Sequence, residues 1–138
     1  MVMRISEMHW QQVESYIGSN NICVLPLGCT EQHAYLSLST DTILAEKLAF
    51  DSAQTLGIPV FPVVPYGLTP SFLEFPGTVS LSSDLYLKLI GEILCSLLKQ
   101  GFRRIFILNG HGGNTPARAV ISEALTKFPD ARIKWHDW

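Results

Sequence analysis

Apolar and polar positions along this chain fall into blocks of two kinds. Short apolar runs, "ICVLPL" at 22–27 and "RRIFIL" at 103–108, are bounded by polar residues and glycine. Their length and β-branched content predict buried strands. Longer stretches carry apolar residues at helical spacing. In "DTILAEKLAFDSAQTLG", Ile43, Leu44, Leu48, Ala49 and Leu56 share a predicted face. That helix should start at Thr40 or Asp41 and stop at Gly57, the usual place of a terminating glycine. "SSDLYLKLIGEILCSLLKQG" is the strongest helix pattern. Ser82 or Ser83 would cap it, Gly101 would end it, and Leu85, Leu89, Ile93 and Leu97 would form its apolar stripe. A first short helix is expected over "ISEMHWQQVESYI", capped by Ser6, and another over "NTPARAVISEALTKF". In the latter, Pro116 near the first turn loses no hydrogen bond. "RIKWHDW" reads as a final strand. "IPVFPVVPYG" is apolar but carries three prolines, which give no amide to a ladder, so it should be short or lie at an edge. "GLTPSFLEFPGTVSL" reads as loop.

Strands alternating with helices require crossover connections, hence an α/β fold with a mostly parallel sheet covered on both faces. Val24, Leu25, Leu89, Ile93, Ile105 and Ile107 are the expected core. The 138 residues suit one domain. Hydrophobic residues make up 47 % and charged residues 16 %, which excludes disorder. The charged share is low against a usual value of about 25 %. Either small polar residues cover the surface or the chain self-associates. The net charge is −2 and the cations are scattered, so no phosphate-tracking patch exists and nucleic-acid binding is not expected. The N-terminal stretch has no apolar signal core, and no run of 18 apolar residues predicts a membrane span. Three cysteines, Cys23, Cys29 and Cys95, fit free thiols in a cytoplasmic protein.

Candidate chemistry sits where two strands end. Ligands of open α/β sheets bind beyond the carboxyl ends of the strands. "GCTEQHAYLSLSTD" follows the first run and carries Glu31, His33 and Asp41; "NGHGGN" follows the second and carries His111 among Gly110, Gly112 and Gly113. If these strands are neighbours, two histidines and two carboxylates meet at one rim. Such a mixed set is ligand chemistry for zinc, manganese or iron. The glycine-rich loop lacks the lysine and spacing of a phosphate loop. Its Gly112, Gly113 and Asn114 could contact substrate or donate to an oxyanion. A nucleophilic Cys29 with His33 or His111 as base is the competing chemistry.

"LPLGCTEQH", "STD", "FPGTVSL" and "GFRRIFILNGHGGN", in that order, resemble the creatininase (creatinine amidohydrolase) family. The resemblance implies a three-layer α/β/α sandwich, a two-metal centre, hydrolysis of a non-peptide or cyclic amide, and commonly a hexamer. It implies that Glu31 and His111 hold one metal, His33 holds the other, and Asp41 bridges them. The expected cofactor is one or two divalent ions, zinc before manganese or iron, and the expected partners are a small amide substrate and further copies of the chain. The chain departs from the family pattern at several places. Gly113 stands where creatininase proper has a ligating glutamate, Ala34, Ser37 and Ser39 replace two glycines and a proline, and Phe72 replaces a histidine. Residues 1–138 are therefore expected to form a single creatininase-like domain without the family's C-terminal part. That part carries a catalytic histidine, so the alternative reading is a catalytically incomplete metal-binding or oligomerising module.

Overall fold

A computed structural model describes residues 3–138. Three strands, β1 (Ile22–Leu27), β2 (Arg104–Asn109) and β3 (Arg132–Asp137), form a parallel sheet in the order β1-β2-β3. Side chains alternate across its faces, as strand geometry requires. Cys23, Leu25, Leu27, Ile105, Ile107 and Trp135 pack on one face against α3 (Ser83–Gln100), α4 (Ala119–Lys127) and, at the periphery, α1 (Trp10–Ser19). Val24 and Leu108 pack on the other against Ala49 and Ala53 of α2 (Thr40–Gln54). The result is the three-layer α/β/α arrangement expected. In register, Leu27 pairs with Asn109 and Asn109 with Asp137, so the loops after β1 and β2 leave the sheet side by side.

The proline-rich segment after α2 forms no named strand. Val60 and Val64 make isolated parallel bridges to Val24 and Leu27 on the outer side of β1. The Val24 amide donates to Pro59 O at 3.0 Å and the Phe61 amide to Val24 O at 2.9 Å. Pro59, Pro62 and Pro65 have no amide to offer, which holds the pairing to these bridges.

Several local expectations shift by a few residues, each for a physical reason. Ser6 does not cap α1; it lies in a 3-10 turn, Ile5–Glu7, and α1 starts at Trp10 with His9 as its N-cap residue. Three residues after His9 comes Gln12, whose side chain accepts the His9 amide at 2.9 Å, whereas no glutamate or glutamine follows Ser6 at that spacing. The helix expected to begin at Pro116 opens instead as a 3-10 stretch, Gly112–Arg118, with Pro116 inside it. In α3 the buried stripe is Tyr86, Ile90, Leu94, Leu97 and Leu98, one residue round from the expected one, and Leu85 is exposed. Val24, Leu25, Ile105 and Ile107 are buried as expected, while Leu89 and Ile93 are only partly so.

The largest shift is in α2. Its buried residues are Asp41, Ala45, Ala49 and Ala53, and Ile43, Leu44, Leu48 and Leu56 are exposed. Small residues at every fourth position let this helix lie close on the sheet rim. A Cβ placed on Gly110 would come within 2.9 Å of Ala45 Cβ, so a larger side chain at 45 would hold the helix away. The three cysteines are unpaired, and no helix among the described residues is long and apolar enough to cross a membrane.

Candidate metal centre

The rim where β1 and β2 end collects the four candidate ligands. Asp41 enters from the first turn of α2, where a carboxylate also meets the positive end of the helix dipole. Its two oxygens reach two different histidines: Oδ1 lies 3.2 Å from His33 Nε2 and Oδ2 lies 2.9 Å from His111 Nδ1. Glu31 Oε1 lies 3.4 Å from the same His111 Nδ1. Glu31 and Asp41 are both buried. Buried carboxylates are normally paired with cations or bound to metals, and among the described residues the basic groups beside these two are imidazoles. Ligand atoms of Glu31, His33 and Asp41 all lie within 4.8 Å of one another, as do those of Cys29, Glu31 and His111. His33 Nδ1 is buried without a hydrogen-bond partner. Two imidazoles and two carboxylates converging in this way fit a divalent metal.

The geometry is held from outside the cluster. His111 Nε2 lies 2.9 Å from the Leu68 carbonyl, which fixes the ring and turns Nδ1 to the carboxylates. Thr69 Oγ1 donates to Glu31 Oε2, and the Thr69 amide donates to Ser80 Oγ at 2.9 Å. Leu68 and Thr69 lie in the stretch read as plain loop, so sequence reasoning missed both. Nothing periodic marks them; only the neighbouring Pro70 signals a fixed turn, a 3-10 piece over Pro70–Phe72. In the metal-free protein burial disfavours a charged His111. Hydrogen bonds to Asp41, Cys29 and the Leu68 carbonyl outweigh that and raise its pKa to about 10.

Asn114 has a different task from the donor role expected of it. It is fully buried, Nδ2 donates to Gly28 O at 3.0 Å and to Asn109 Oδ1 at 3.1 Å, and Oδ1 accepts the Leu68 amide at 3.2 Å. One side chain thus clasps the loop after β1, the loop after β2 and the strap carrying Leu68 and Thr69. Gly112 and Gly113 are exposed at the start of the 3-10 stretch, whose leading amides have no partner within it. Gly113 cannot take a side chain as built: a Cβ there would lie 2.0 Å from Leu68 O and 2.5 Å from His111 Nε2. Ala34, where the resembling family has glycine, sits at φ 51°, in the left-handed region that glycine favours.

Beside the cluster lies an open cleft of about 540 Å³ whose walls include Glu31, Thr69, Phe72, Ser82, His111 and Gly113. Among the described residues, Glu31 and His111 are the only titratable ones lining it. Cys29 is wholly buried. An attacking thiolate must be reachable by substrate, so the geometry does not favour the nucleophilic role considered for it.

Known proteins resemble this chain in both sequence and shape. It is 36 % identical over 119 residues to a mycofactocin precursor peptide peptidase of Mycolicibacterium smegmatis, an alignment covering 81 % of this chain and 47 % of the relative. It is 27 % identical over 118 residues to the creatinine amidohydrolase of Pseudomonas putida, covering 80 % of this chain and 45 % of that protein. It is 28 % identical over 123 residues to a 3-dehydro-scyllo-inosose hydrolase of Thermotoga maritima, covering 88 % and 38 %. A solved creatinine amidohydrolase superposes with a TM-score of 0.93 at 24 % identity, covering 99 % of this chain and 57 % of that one. A manganese creatininase and a variant described as Zn-Zn type match with TM-scores of 0.92 and 0.91, at 23 % and 22 % identity, covering 99 % of this chain and 58 % of each. The chain spans about half the length of the curated relatives it matches, or less. The family model described as creatinine amidohydrolase matches residues 6–138, and the chain belongs to the creatininase family.

Proposed function

We propose that this chain carries the metal-binding half of an amide-hydrolysing centre acting on a small non-peptide or cyclic amide. The observation that carries the reading is the Asp41 carboxylate, with one oxygen on each of two histidines, His33 and His111. Glu31 and His111 would hold one divalent ion, His33 the other, and Asp41 would span both. Zinc suits this donor set, as do manganese and iron, and the solved relatives include manganese and zinc forms. A bound divalent ion lowers the pKa of water from roughly 15.7 to about 7 and polarises an amide carbonyl.

The protein's own groups prepare that chemistry. His111 Nε2–H donating to Leu68 O leaves the Nδ1 lone pair for a ligand, which selects the tautomer that can bind metal. Thr69 fixes one oxygen of Glu31 and leaves the other facing His111. The cleft beside them would seat the amide, and the Gly112 and Gly113 amides are available to an oxyanion. A small substrate fits the cleft volume of about 540 Å³ and its mixed walls of threonine, serine, phenylalanine and proline. The relative named for creatinine supports a small cyclic amide, and the relative named for a precursor peptide favours a peptide bond instead.

A second reading, an incomplete metal-binding or oligomerising module, is supported by two observations. Among the described residues the cleft lining offers no acidic or basic side chain to protonate a leaving nitrogen beyond the candidate ligands, and a general acid typically contributes 10²–10⁴-fold. Exposed Tyr35, Leu36, Leu73 and Phe75 on loops flanking the site, with a charged share of 16 %, support self-association. Three unpaired cysteines suit a cytoplasmic setting.

The deciding experiment is metal analysis of the purified chain beside turnover assays on creatinine and small formamides with added zinc or manganese. Bound metal with weak or no turnover is the expected result for this chain alone. Robust turnover that His111→Ala abolishes would mean that the chain assembles a complete site. A chain that takes up no metal would remove both readings of the cluster as a metal centre.

A further inference from the structure

One buried reactive group takes no part in the chemistry above. Cys29 is wholly buried, two residues ahead of Glu31 in the loop after β1. Its carbonyl accepts Thr42 Oγ1 at 3.0 Å, which pins it against the first turn of α2. Its sulfur lies within 4.8 Å of a ligand atom of Glu31 and of one of His111. Tyr86 of α3 is also fully buried, and its hydroxyl has no hydrogen-bond partner among the described residues.

We propose that Cys29 is a further protein ligand, beside the shared Asp41, of the ion held by Glu31 and His111, and that its thiolate selects zinc over manganese. The proposal rests on reading the cluster as a metal centre. Zinc accepts mixed sulfur, nitrogen and oxygen ligand sets, and thiolate is a zinc ligand that manganese disfavours. Two atoms on one zinc lie at most about 4.4 Å apart, given bonds of about 2.1 and 2.3 Å. The ligand atoms of Cys29, Glu31 and His111 lie within 4.8 Å of one another, so a small approach would bring them onto one ion. Binding releases the thiol proton to solvent.

Cobalt(II) loading of the full chain tests this, because sulfur ligation adds a near-ultraviolet charge-transfer band to the visible ligand-field bands. Both are expected in the unaltered protein. Cys29→Ser should keep the visible bands and lose the charge-transfer band. Its zinc affinity should fall by at least roughly 10–100-fold, the cost of losing even an outer partner of a ligand, with manganese affinity little changed. Visible bands without charge transfer in the unaltered chain would overturn the role of Cys29 and leave the Glu31–His111–Asp41 reading standing. A charge-transfer band that survives Cys29→Ser would overturn it too, pointing to Cys23 or Cys95. No cobalt bands at all would overturn both readings together. X-ray absorption of the zinc-loaded unaltered chain gives an answer independent of any variant. One sulfur at about 2.3 Å is expected, and a shell of nitrogen and oxygen alone would refute it.

Discussion

The two faces of the sheet do different work. Against α3 and α4 lies a thick core of Leu25, Leu27, Tyr86, Ile90, Leu94, Phe102, Ile105, Ile107 and Trp135. Against α2 lies a thin one, Val24, Ala49, Ala53, Val60 and Leu108. Beside it runs an apolar groove of about 490 Å³ walled in part by Leu48, Leu56, Phe106 and Trp138. The thick face supplies stability through burial of large side chains, at roughly 1.5–3 kcal/mol for each one fully buried. The thin face supplies position. Its alanines bring α2 onto the rim, and that approach carries Asp41 between the two histidines. A bulkier interface would be more apolar but would move the carboxylate out of reach.

Substitutions on the two faces should separate these roles. Ile105→Ala, in the thick core, should cost about 2–5 kcal/mol in chemical denaturation by the transfer-plus-cavity argument. Leu44→Ala, on the outer side of α2, should change stability by less than about 0.5 kcal/mol. A pH dependence should belong to the site side alone. His111 has a metal-free pKa raised from 6.5 to about 10, so the protonated form favours the folded state. Its contribution is fully present below pH 6.5 and is lost as pH rises through about 10. Unfolding of the metal-free chain across that window should show this loss, and His111→Gln should flatten it. Zinc should reverse the trend, since a ligating imidazole must be neutral and binding strengthens as pH rises.

Overfilling the thin face should act on position as well as stability. Ala45→Leu should cost about 1–3 kcal/mol and should also weaken zinc binding by displacing Asp41. An equal loss of stability with unchanged zinc affinity would show that the alanine stripe does not set the site. Smallest is Ala34→Gly in the loop bearing His33. Relief of the left-handed backbone, about 1–2 kcal/mol, is largely offset by the extra freedom of the unfolded chain, about 0.4–1 kcal/mol. A net gain under about 1.5 kcal/mol in thermal or urea unfolding is expected.

The strands and the ligand-bearing loops were legible because their signals are local. A β-branched run such as 22–27 has one good fate in a chain of this kind, and polar residues crowded after it have few roles other than chemistry. Which face a helix buries was not legible in the same way. In α2 the leucines and the alanines both keep helical spacing, and only the closeness of Gly110 to Ala45 decides for the small ones. The same ambiguity turned α3 by one residue. Thr69 and Leu68 were hidden because their contacts with Glu31 and His111 cross roughly forty positions of sequence, as the separations of 38 and 43 record. Asn114 was misjudged for a related reason. An amide in a glycine-rich loop suits a substrate as well as it suits a clasp, and two of its three buried partners, Leu68 and Gly28, come from distant segments.

The account rests on Asp41 as the hub of a metal centre, and a zinc titration of the metal-free chain against Asp41→Asn tests that most directly. The substitution keeps the shape of the side chain and removes its charge. Tight, saturable zinc binding by the unaltered chain that is lost or severely weakened in Asp41→Asn, with the fold intact by circular dichroism, is the predicted result. Equal zinc affinity in the two proteins would contradict it.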